Sequence, residues 1–224
     1  MTDVVAVGEG QTEEVFISTV LAPYLGEKGV FLHPRLIATS QHGRGGALSG
    51  ERVVRALRNT LLERRDTFVT TFFDLFRLPG SFPGQVQAQA HPDPLVRAET
   101  IEAQLTIAVL AAADCRPERF IAHVQPHEFE ALLFSDPQRV AEADPGWGSY
   151  AVALVEVRAA AQSPEHINDG EDTHPSARLK VLRPPYEKTL HGPRLVKAIG
   201  LDRIRSECVH FGRWLSRLET LKAP

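Results

Sequence analysis

The chain alternates between two patterns of apolar residues, one typical of strands and the other of helices. Compact runs rich in valine, isoleucine and aromatic residues predict buried strands. Between these runs, apolar residues recur at helical spacing and predict amphipathic helices. Such alternation is typical of a parallel sheet covered by helices, so we predict an α/β fold with a mainly parallel sheet flanked by helices. The predicted strands are Asp3–Val7, Val30–Ala38, Thr67–Asp74 and Arg119–Val124.

Capping residues, glycines and prolines set the predicted boundaries of helices and loops. Thr12 is predicted to cap the first helix, Pro23 to kink it, and Ser49 to cap the helix after the second strand. The predicted helices are Thr12–Lys28, Gly50–Arg64, Pro94–Ala113, a short helix that ends at Ser135, Ala151–Ala161, Tyr186–Pro193, Leu195–Ile199 and Ile204–Leu221. The predicted loops are Thr39–Gly50 (which contains His42), Leu75–Asp93 and a turn at Asn168–Gly170.

The length of 224 residues allows one substantial core, or a domain with a smaller cap. All predicted strands lie in the first part of the chain, and the remainder is predicted to be helical. We therefore divide the chain into an α/β core over residues 1–135 and a helical C-terminal extension over residues 136–224 that packs on the core.

The composition is that of an ordinary globular protein, with 43% hydrophobic and 24% charged residues. No apolar run approaches the ~20 residues of a membrane span, and no leader sequence is recognisable. We therefore expect a cytoplasmic protein that does not bind a membrane. Cys115 and Cys208 are too few for a disulfide scaffold or a cysteine zinc site.

The net charge of −3 conceals an uneven distribution of charged residues. Residues 1–174 contain 14 basic and 24 acidic side chains, whereas residues 175–224 contain 11 basic and 4 acidic ones. This asymmetry fits a metal-binding centre beside a phosphate-binding surface. It fits equally well two faces that attract each other within the fold, so charge alone does not decide between them.

Three of the predicted strands end in a carboxylate or lead into one. Glu9 lies between two glycines after the first strand, Asp74 ends the third, and Glu128 follows the fourth. Ligands of parallel sheets bind beyond the carboxyl ends of the strands, and carboxylate oxygens are typical magnesium ligands. One such acid is commonly a solvated turn residue, but three together predict a site for Mg²⁺ or Mn²⁺, with Glu9 and Asp74 sharing an ion. Glu130 is expected to lie on a different helix face from Glu128 and to hold the helix or a basic neighbour instead.

Residues 7–14 read V-G-E-G-Q-T-E-E, which resembles the first motif of Toprim-type domains, especially those of the OLD-like nucleases. In that family a glutamate after the first strand helps to bind a divalent metal and an acidic residue follows four positions later, which implies Glu9 and Glu13 as metal ligands. The chain as a whole resembles a bacterial family, a numbered domain of unknown function, classed as Toprim-like and often encoded beside an ABC-type ATPase. A Toprim domain ordinarily carries Asp-x-Asp after its third strand, whereas Asp74 is followed by Leu75 and Phe76.

The resemblance implies metal-dependent phosphodiester hydrolysis in nucleic acid, by the effector of a phage-defence system that works with the ATPase. Two alternatives stay open: a non-catalytic Toprim-like partner module of an ATPase, which the missing second aspartate favours, and a small-molecule phosphate-transfer enzyme. Lys188 is the candidate basic catalytic residue, either to clamp a phosphate or to shuttle a proton. The candidate substrate-binding residues are Gly10, His127, Arg178, Lys180, His191 and Arg194.

Overall fold

The computed structural model describes residues 1–37, 49–76, 78–143, 145–167, 170, 172–182 and 186–222. Within these residues the strands are β1 (Thr2–Gly8), β2 (Val30–Leu36), β3 (Phe68–Asp74), β4 (Phe120–Ile121) and β5 (Val124–Gln125). They pair in the order β2-β1-β3-β4, and β5 also pairs with β3. Every one of these pairs is parallel. The predicted α/β fold with a parallel sheet is thereby confirmed.

Helices connect the strands and form the C-terminal region, as predicted. The helices of the described residues are α1 (Gln11–Phe16), α2 (Ala22–Gly26), α3 (Gly50–Glu63), α4 (Gln85–Ala88), α5 (Pro94–Ala113), α6 (Pro137–Ala143), α7 (Ala151–Ala159), α8 (Pro175–Leu182), α9 (Lys188–Ile199), α10 (Leu201–Glu207) and α11 (Val209–Glu219). Short 3-10 turns lie at Pro117–Arg119, Phe129–Ser135, Pro145–Tyr150 and Pro164–His166.

The central strand β3 is buried on both of its faces. Phe68 and Phe72 pack into a core with residues of α1, α9, α10 and α11, whereas Val69 and Phe73 pack into a second core with residues of α3 and α5. Successive side chains of a strand point to opposite faces, so a strand such as β3, in which apolar residues face both sides, is what a sheet covered on both sides requires.

The first helix differs from the prediction at its start. Gly10 is the N-cap, without a side-chain cap, and Thr12 lies inside α1. The sequence predicts a kink at Pro23, but the irregularity lies just before it, in a π-helical turn at Ile17–Leu21. Pro23 itself lies in the first turn of α2. Proline is tolerated there because the widened turn before it accommodates the missing N–H. Ser49, by contrast, caps α3 as predicted, and its side chain accepts a hydrogen bond from the Arg52 N–H.

The predicted strand Arg119–Val124 is divided into β4 and β5 by a short break. His123 lies in this break, and both of its backbone groups bond to a side chain of β3, although its carbonyl oxygen also accepts from the Phe73 N–H of that strand at 3.4 Å. The Thr71 hydroxyl donates to the His123 carbonyl oxygen and accepts from the His123 N–H, both at 2.8 Å. One hydroxyl therefore bonds to both backbone groups of His123 and satisfies its N–H, which the sequence pattern does not reveal.

Other boundaries also differ from the predictions. The predicted loop Leu75–Asp93 contains α4, and the predicted helix Ile204–Leu221 is interrupted at Cys208, between α10 and α11. The end of the predicted second strand at Ala38, most of the loop with His42, and Asn168 and Asp169 of the predicted turn lie outside the described residues.

The C-terminal helices pack directly against the sheet. The indole N–H of Trp214, on α11, donates a 2.8 Å hydrogen bond to the Thr70 hydroxyl on β3. The rings of Phe16, on α1, and Phe211, on α11, lie in the same apolar core. The division at residue 135 remains a prediction, since these contacts join the two predicted parts in one core. None of the described helices combines the length and the apolar character that spanning a membrane requires.

Candidate metal centre

The carboxyl ends of β1 and β3 lie side by side at one edge of the sheet. The parallel register pairs Gly8 with Phe72. Glu9 comes one residue after Gly8 and Asp74 two residues after Phe72, so the two acids lie at the same edge of the sheet. Strand β5 joins the same edge, because Asp74 pairs with Gln125. The three predicted acids therefore follow three strands that end at one edge, which is where parallel sheets bind their ligands.

Asp74, Glu128 and Glu130 form a compact group at this edge. Each offers a carboxylate oxygen, and these oxygens lie within 4.8 Å of one another. Asp74 is fixed by the Phe129 N–H, which donates to its Oδ1 at 2.9 Å. Glu128 and Glu130 are buried, with 5% and 0% of their surfaces exposed. Such a group of oxygen ligands is suited to a hard divalent cation.

The expectation that Glu130 lies apart from Glu128 is wrong. It rested on regular helical geometry, but Glu128 is an extended N-cap residue with φ −147° and ψ 161°. Glu130 lies in the first turn of the 3-10 helix that follows. Since only one of the two glutamates is helical, the 3.6-residue period does not separate their side chains.

Glu128 is held by groups from the C-terminal region. Its Oε2 is 2.9 Å from His174 Nδ1 and accepts from the Ser176 N–H at 3.0 Å, and its Oε1 accepts from the Ser176 hydroxyl at 3.1 Å. His174 and Ser176 were not among the predicted site residues. No motif identifies them, because only the folding of α8 onto the sheet brings them to Glu128.

Lys188 supplies the positive charge within this carboxylate group. Its Nζ donates to Glu128 Oε1 and to Glu130 Oε2, each at 3.1 Å. The second oxygen of Glu130 accepts from the Tyr186 hydroxyl at 3.4 Å. The basic neighbour that the sequence analysis expected for Glu130 is thus Lys188, which begins α9.

Glu13 folds back over the glycine turn and toward the same centre. A Cβ atom at Gly10 would lie 2.8 Å from Glu13 Oε2, so the turn leaves room for this carboxylate only because Gly10 has no side chain. Burial raises the pKa of Glu13, against hydrogen bonds from the backbone N–H groups of Glu13 and Gly10 that lower it. The reach of Glu13 back to the N-cap N–H is one half of a capping box.

Burial and mutual repulsion shift the protonation of the carboxyls in this centre. Burial raises the pKa of Asp74 well above its usual range, and the charges of Glu13 and Glu130 raise it further. Burial raises the pKa of Glu130 to about 7, although Lys188 lowers it. Burial has the same tendency at Glu128, but Lys188 and the Ser176 N–H outweigh it and lower that pKa. A single lysine therefore compensates only part of the negative charge.

Glu9 lies at the margin of the centre. It is not a member of the Asp74–Glu128–Glu130 group, and its pKa is raised to about 7 by burial and by the charge of Glu13. Its Oε1 is buried without a hydrogen-bond partner in the described part of the chain. A buried carboxylate oxygen without a donor is costly, and a cation beside it would satisfy it. The shared ion of Glu9 and Asp74 stays a prediction.

The predicted substrate-binding residues are in different environments. His127 is 4% exposed and takes a left-handed backbone conformation, with φ 60°, that turns the chain toward Glu128. Arg178 is half-buried and donates from Nε to the Thr173 carbonyl oxygen at 2.6 Å. His191 is half-buried and its Nδ1 accepts from the Glu187 N–H at 2.9 Å. Lys180 and Arg194 are exposed. Their binding of a substrate remains a prediction.

The residues at this edge fit a divalent cation. The carboxylate oxygens of Asp74, Glu128 and Glu130 converge, and Lys188 is the cation that pairs with two of these acids. In addition, Glu9 Oε1 has no hydrogen-bond donor in the described chain. Asp74 and Glu130 would hold the ion most readily within this group, because the oxygens of Glu128 already accept from several protein groups. The fold and this edge thus define an α/β protein with an acidic centre at the carboxyl ends of parallel strands.

Over residues 8–219 the chain matches the family described as "Domain of unknown function (DUF4276)". The match covers nearly the whole chain, and the protein belongs to this family. Comparison with curated proteins and with solved structures finds no match.

Proposed function

We propose that this protein is a hydrolase of phosphodiester bonds in nucleic acid that depends on Mg²⁺ or Mn²⁺. The observation that carries the proposal is the convergence of Asp74, Glu128 and Glu130 within 4.8 Å at the carboxyl edge of a parallel sheet. The resemblance of V-G-E-G-Q-T-E-E to the first motif of Toprim-type nuclease domains supports it, since Glu9 and Glu13 follow β1 at this same edge.

Each group has a distinct task in this proposal. Asp74 and Glu130 would hold the ion, with Glu9 and Glu13 as the further ligands that the family resemblance implies, and the bound ion would polarise a phosphoryl oxygen. Lys188 carries a proton and a positive charge, because Glu130 and Glu128 raise its pKa against the opposing effect of burial. It therefore acts as a cation and hydrogen-bond donor toward a phosphate group, and not as a base. The Ser176 and His174 contacts orient Glu128, which in turn orients Lys188.

The choice of nucleic acid as substrate rests on the surroundings of Lys188. Helix α9 starts with Lys188 at the centre and continues with Arg194 and Lys197, both exposed. Lys180, on α8, is exposed as well. Helices α8 and α9 both flank the metal centre, so their exposed basic residues can contact phosphates of a strand on more than one side of it, which a small phosphorylated molecule does not offer. We further propose, on the family resemblance alone, that an ABC-type ATPase is the partner in a phage-defence system.

A second candidate function follows from the position of Lys188. Its Nζ contacts Glu128 and Glu130 at 3.1 Å and already supplies the cation that two buried carboxylates need. If Lys188 takes the place of a metal ion, the centre needs no ion and the protein would be a non-catalytic partner module of an ATPase. The absence of the second aspartate after Asp74 favours this candidate too.

The substitution Glu9→Gln separates these functions. Glutamine keeps the shape of the side chain but removes the charge, so we expect cleavage of nucleic acid to fall at least about 100-fold. The metal-free variant should melt at the same temperature as the wild type or higher, because the substitution removes a buried charge that repels Glu13. The control is Lys222→Gln, an exposed position near the C-terminus, for which we expect wild-type activity.

The assay measures cleavage of single- and double-stranded DNA and RNA with Mg²⁺ or Mn²⁺, with and without the neighbouring ATPase. Full activity of the Glu9 variant would remove the role assigned to Glu9. Inactivity of the wild type on every substrate, with the partner present, would leave the non-catalytic module as the better account.

A further inference from the structure

A second cluster of possible metal ligands lies at the break between β4 and β5. Glu102 on α5, His123 in the break and His210 on α11 each offer a ligand atom, and these atoms lie within 4.8 Å of one another. His210 Nε2 is 2.7 Å from Glu102 Oε1, and His123 Nδ1 is 3.6 Å from the same oxygen. Two imidazoles and one carboxylate form a ligand set typical of zinc and other transition metals, unlike the all-oxygen group at Asp74.

His123 is the residue that points to a ligand. It is 1% exposed, and neither of its ring nitrogens has a partner at hydrogen-bond distance within the described chain, although Glu102 Oε1 lies 3.6 Å from Nδ1 and the Gln125 side chain lies nearby. Its ring is held between neighbours, with the Trp214 ring centroid at 4.5 Å and the two planes 13° apart. A buried imidazole without a partner is costly, and its fixed ring can bind a metal without first being ordered.

The cluster opens to solvent through a cleft of about 220 Å³. Glu102, His123 and His210 line this cleft together with Trp214, Arg213 and Arg217. The Glu102 side chain is 19% exposed, so an ion can reach the otherwise buried histidines from this side. Besides contacting His210, Glu102 Oε1 accepts from the Val124 N–H at 2.8 Å, which holds the carboxylate in place. The site therefore has an access path and a positioned carboxylate.

We propose that Glu102, His123 and His210 bind Zn²⁺ at a site distinct from the Asp74 centre. Three protein ligands leave a fourth position of a tetrahedral ion for water or a small ligand. Arg213, Arg217 and Glu99 line the same cleft, and Arg213 pairs with Glu99 at 2.8 Å. Arg217 is therefore the residue that would favour an anionic ligand, such as a phosphate or a carboxylate. The proposal does not depend on the nuclease function.

The test uses the full chain stripped of metal with a chelator and titrated with Zn²⁺. We expect one equivalent to bind at the cluster and to raise the melting temperature. Glu102→Gln keeps the shape of the side chain and the acceptor for Val124, and it should weaken Zn²⁺ binding at least about tenfold. Asp74→Asn, in the other centre, and His91→Ala, an exposed histidine, should leave this affinity unchanged.

X-ray absorption of the zinc-loaded wild type tests the proposal without any substitution, so its result does not depend on whether a variant folds. The proposal predicts scattering from two imidazole rings around the ion. An ion coordinated by oxygens alone, an affinity lost in Asp74→Asn but kept in Glu102→Gln, or no stoichiometric binding would each overturn the proposal. In those cases Glu102 and His210 form only an internal ion pair.

Discussion

Asp74→Asn should abolish the response of the protein to divalent cations without harming its fold. Asparagine keeps the Oδ1 acceptor for the Phe129 N–H, so the local structure should persist. Burial raises the pKa of Asp74, and Glu13 and Glu130 raise it further, so the aspartate charge is unfavourable in the metal-free protein. We therefore expect the metal-free variant to melt at the wild-type temperature or above it. Activity and metal affinity should fall at least about 100-fold.

The matched control for this prediction is Asp114→Asn. Asp114 is exposed and takes a left-handed conformation, with φ 47°, which asparagine adopts readily. The Asp114→Asn variant should melt at the wild-type temperature, and Mn²⁺ should raise that temperature as it does for the wild type. If Asp74→Asn instead lowered the melting temperature of the metal-free protein and kept its metal response, Asp74 would be a structural residue and not a ligand.

Lys188→Met should produce the largest loss of stability of any single substitution at this centre. Methionine fills similar space but leaves Glu128 and Glu130 without their counter-charge. Removing one partner of a buried ion pair typically costs about 3–5 kcal/mol. The Lys188 side chain is 33% exposed, so we expect a smaller loss, roughly 2–3 kcal/mol of unfolding free energy near pH 8.

The loss should depend on pH in a defined direction. The pKa of Glu130 is already raised to about 7 in the folded wild type, and burial and Glu128 would raise it further without Lys188. A carboxyl whose folded pKa exceeds its unfolded pKa binds more protons in the folded state, so stability falls as pH rises from about 4.5 through the folded value. The deficit of Lys188→Met should therefore be small near pH 5 and grow through pH 8.

Two further variants make the Lys188 prediction specific. Lys188→Met combined with Glu130→Gln should regain most of the lost stability at pH 8, because one of the two uncompensated charges is gone. Lys197→Met changes an exposed lysine on the same helix and should be neutral. Chemical denaturation at pH 5, 6.5 and 8 measures all of these. A deficit that does not change with pH would show that Lys188 acts through packing and not through charge.

The fold could be predicted largely from local sequence patterns. The bounds of α5 are those predicted, because Asp93 caps it and Pro94 begins it. The apolar run that ends in Asp74 identified β3, since a strand buried on both faces needs no alternation. The break at His123 could not be predicted, because it depends on a hydroxyl of Thr71 in another strand.

The candidate site was predictable only as far as its strand ends. Glu9 directly follows β1 and Asp74 is the last residue of β3, so the parallel sheet brings them to one edge. The role of Glu130 was misjudged because the turn around Glu128 is not a regular α-helix. His174 and Ser176 contact Glu128 because of the way α8 packs, and the spacing of residues along the sequence does not predict this packing. The cluster of Glu102, His123 and His210 likewise joins three elements that no motif connects.

The central claim is that the carboxylates at this edge bind a divalent cation, and locating Mn²⁺ in crystals of the protein tests it most directly. Anomalous scattering places the ion independently of any assumed ligand. We predict an anomalous peak between Asp74 and Glu130, at about 2.0–2.3 Å from a carboxylate oxygen of each, with Lys188 Nζ displaced from its contact with Glu130. Crystals with Mn²⁺ in solution but no peak at this edge, and Lys188 still bound to both glutamates, would contradict the claim.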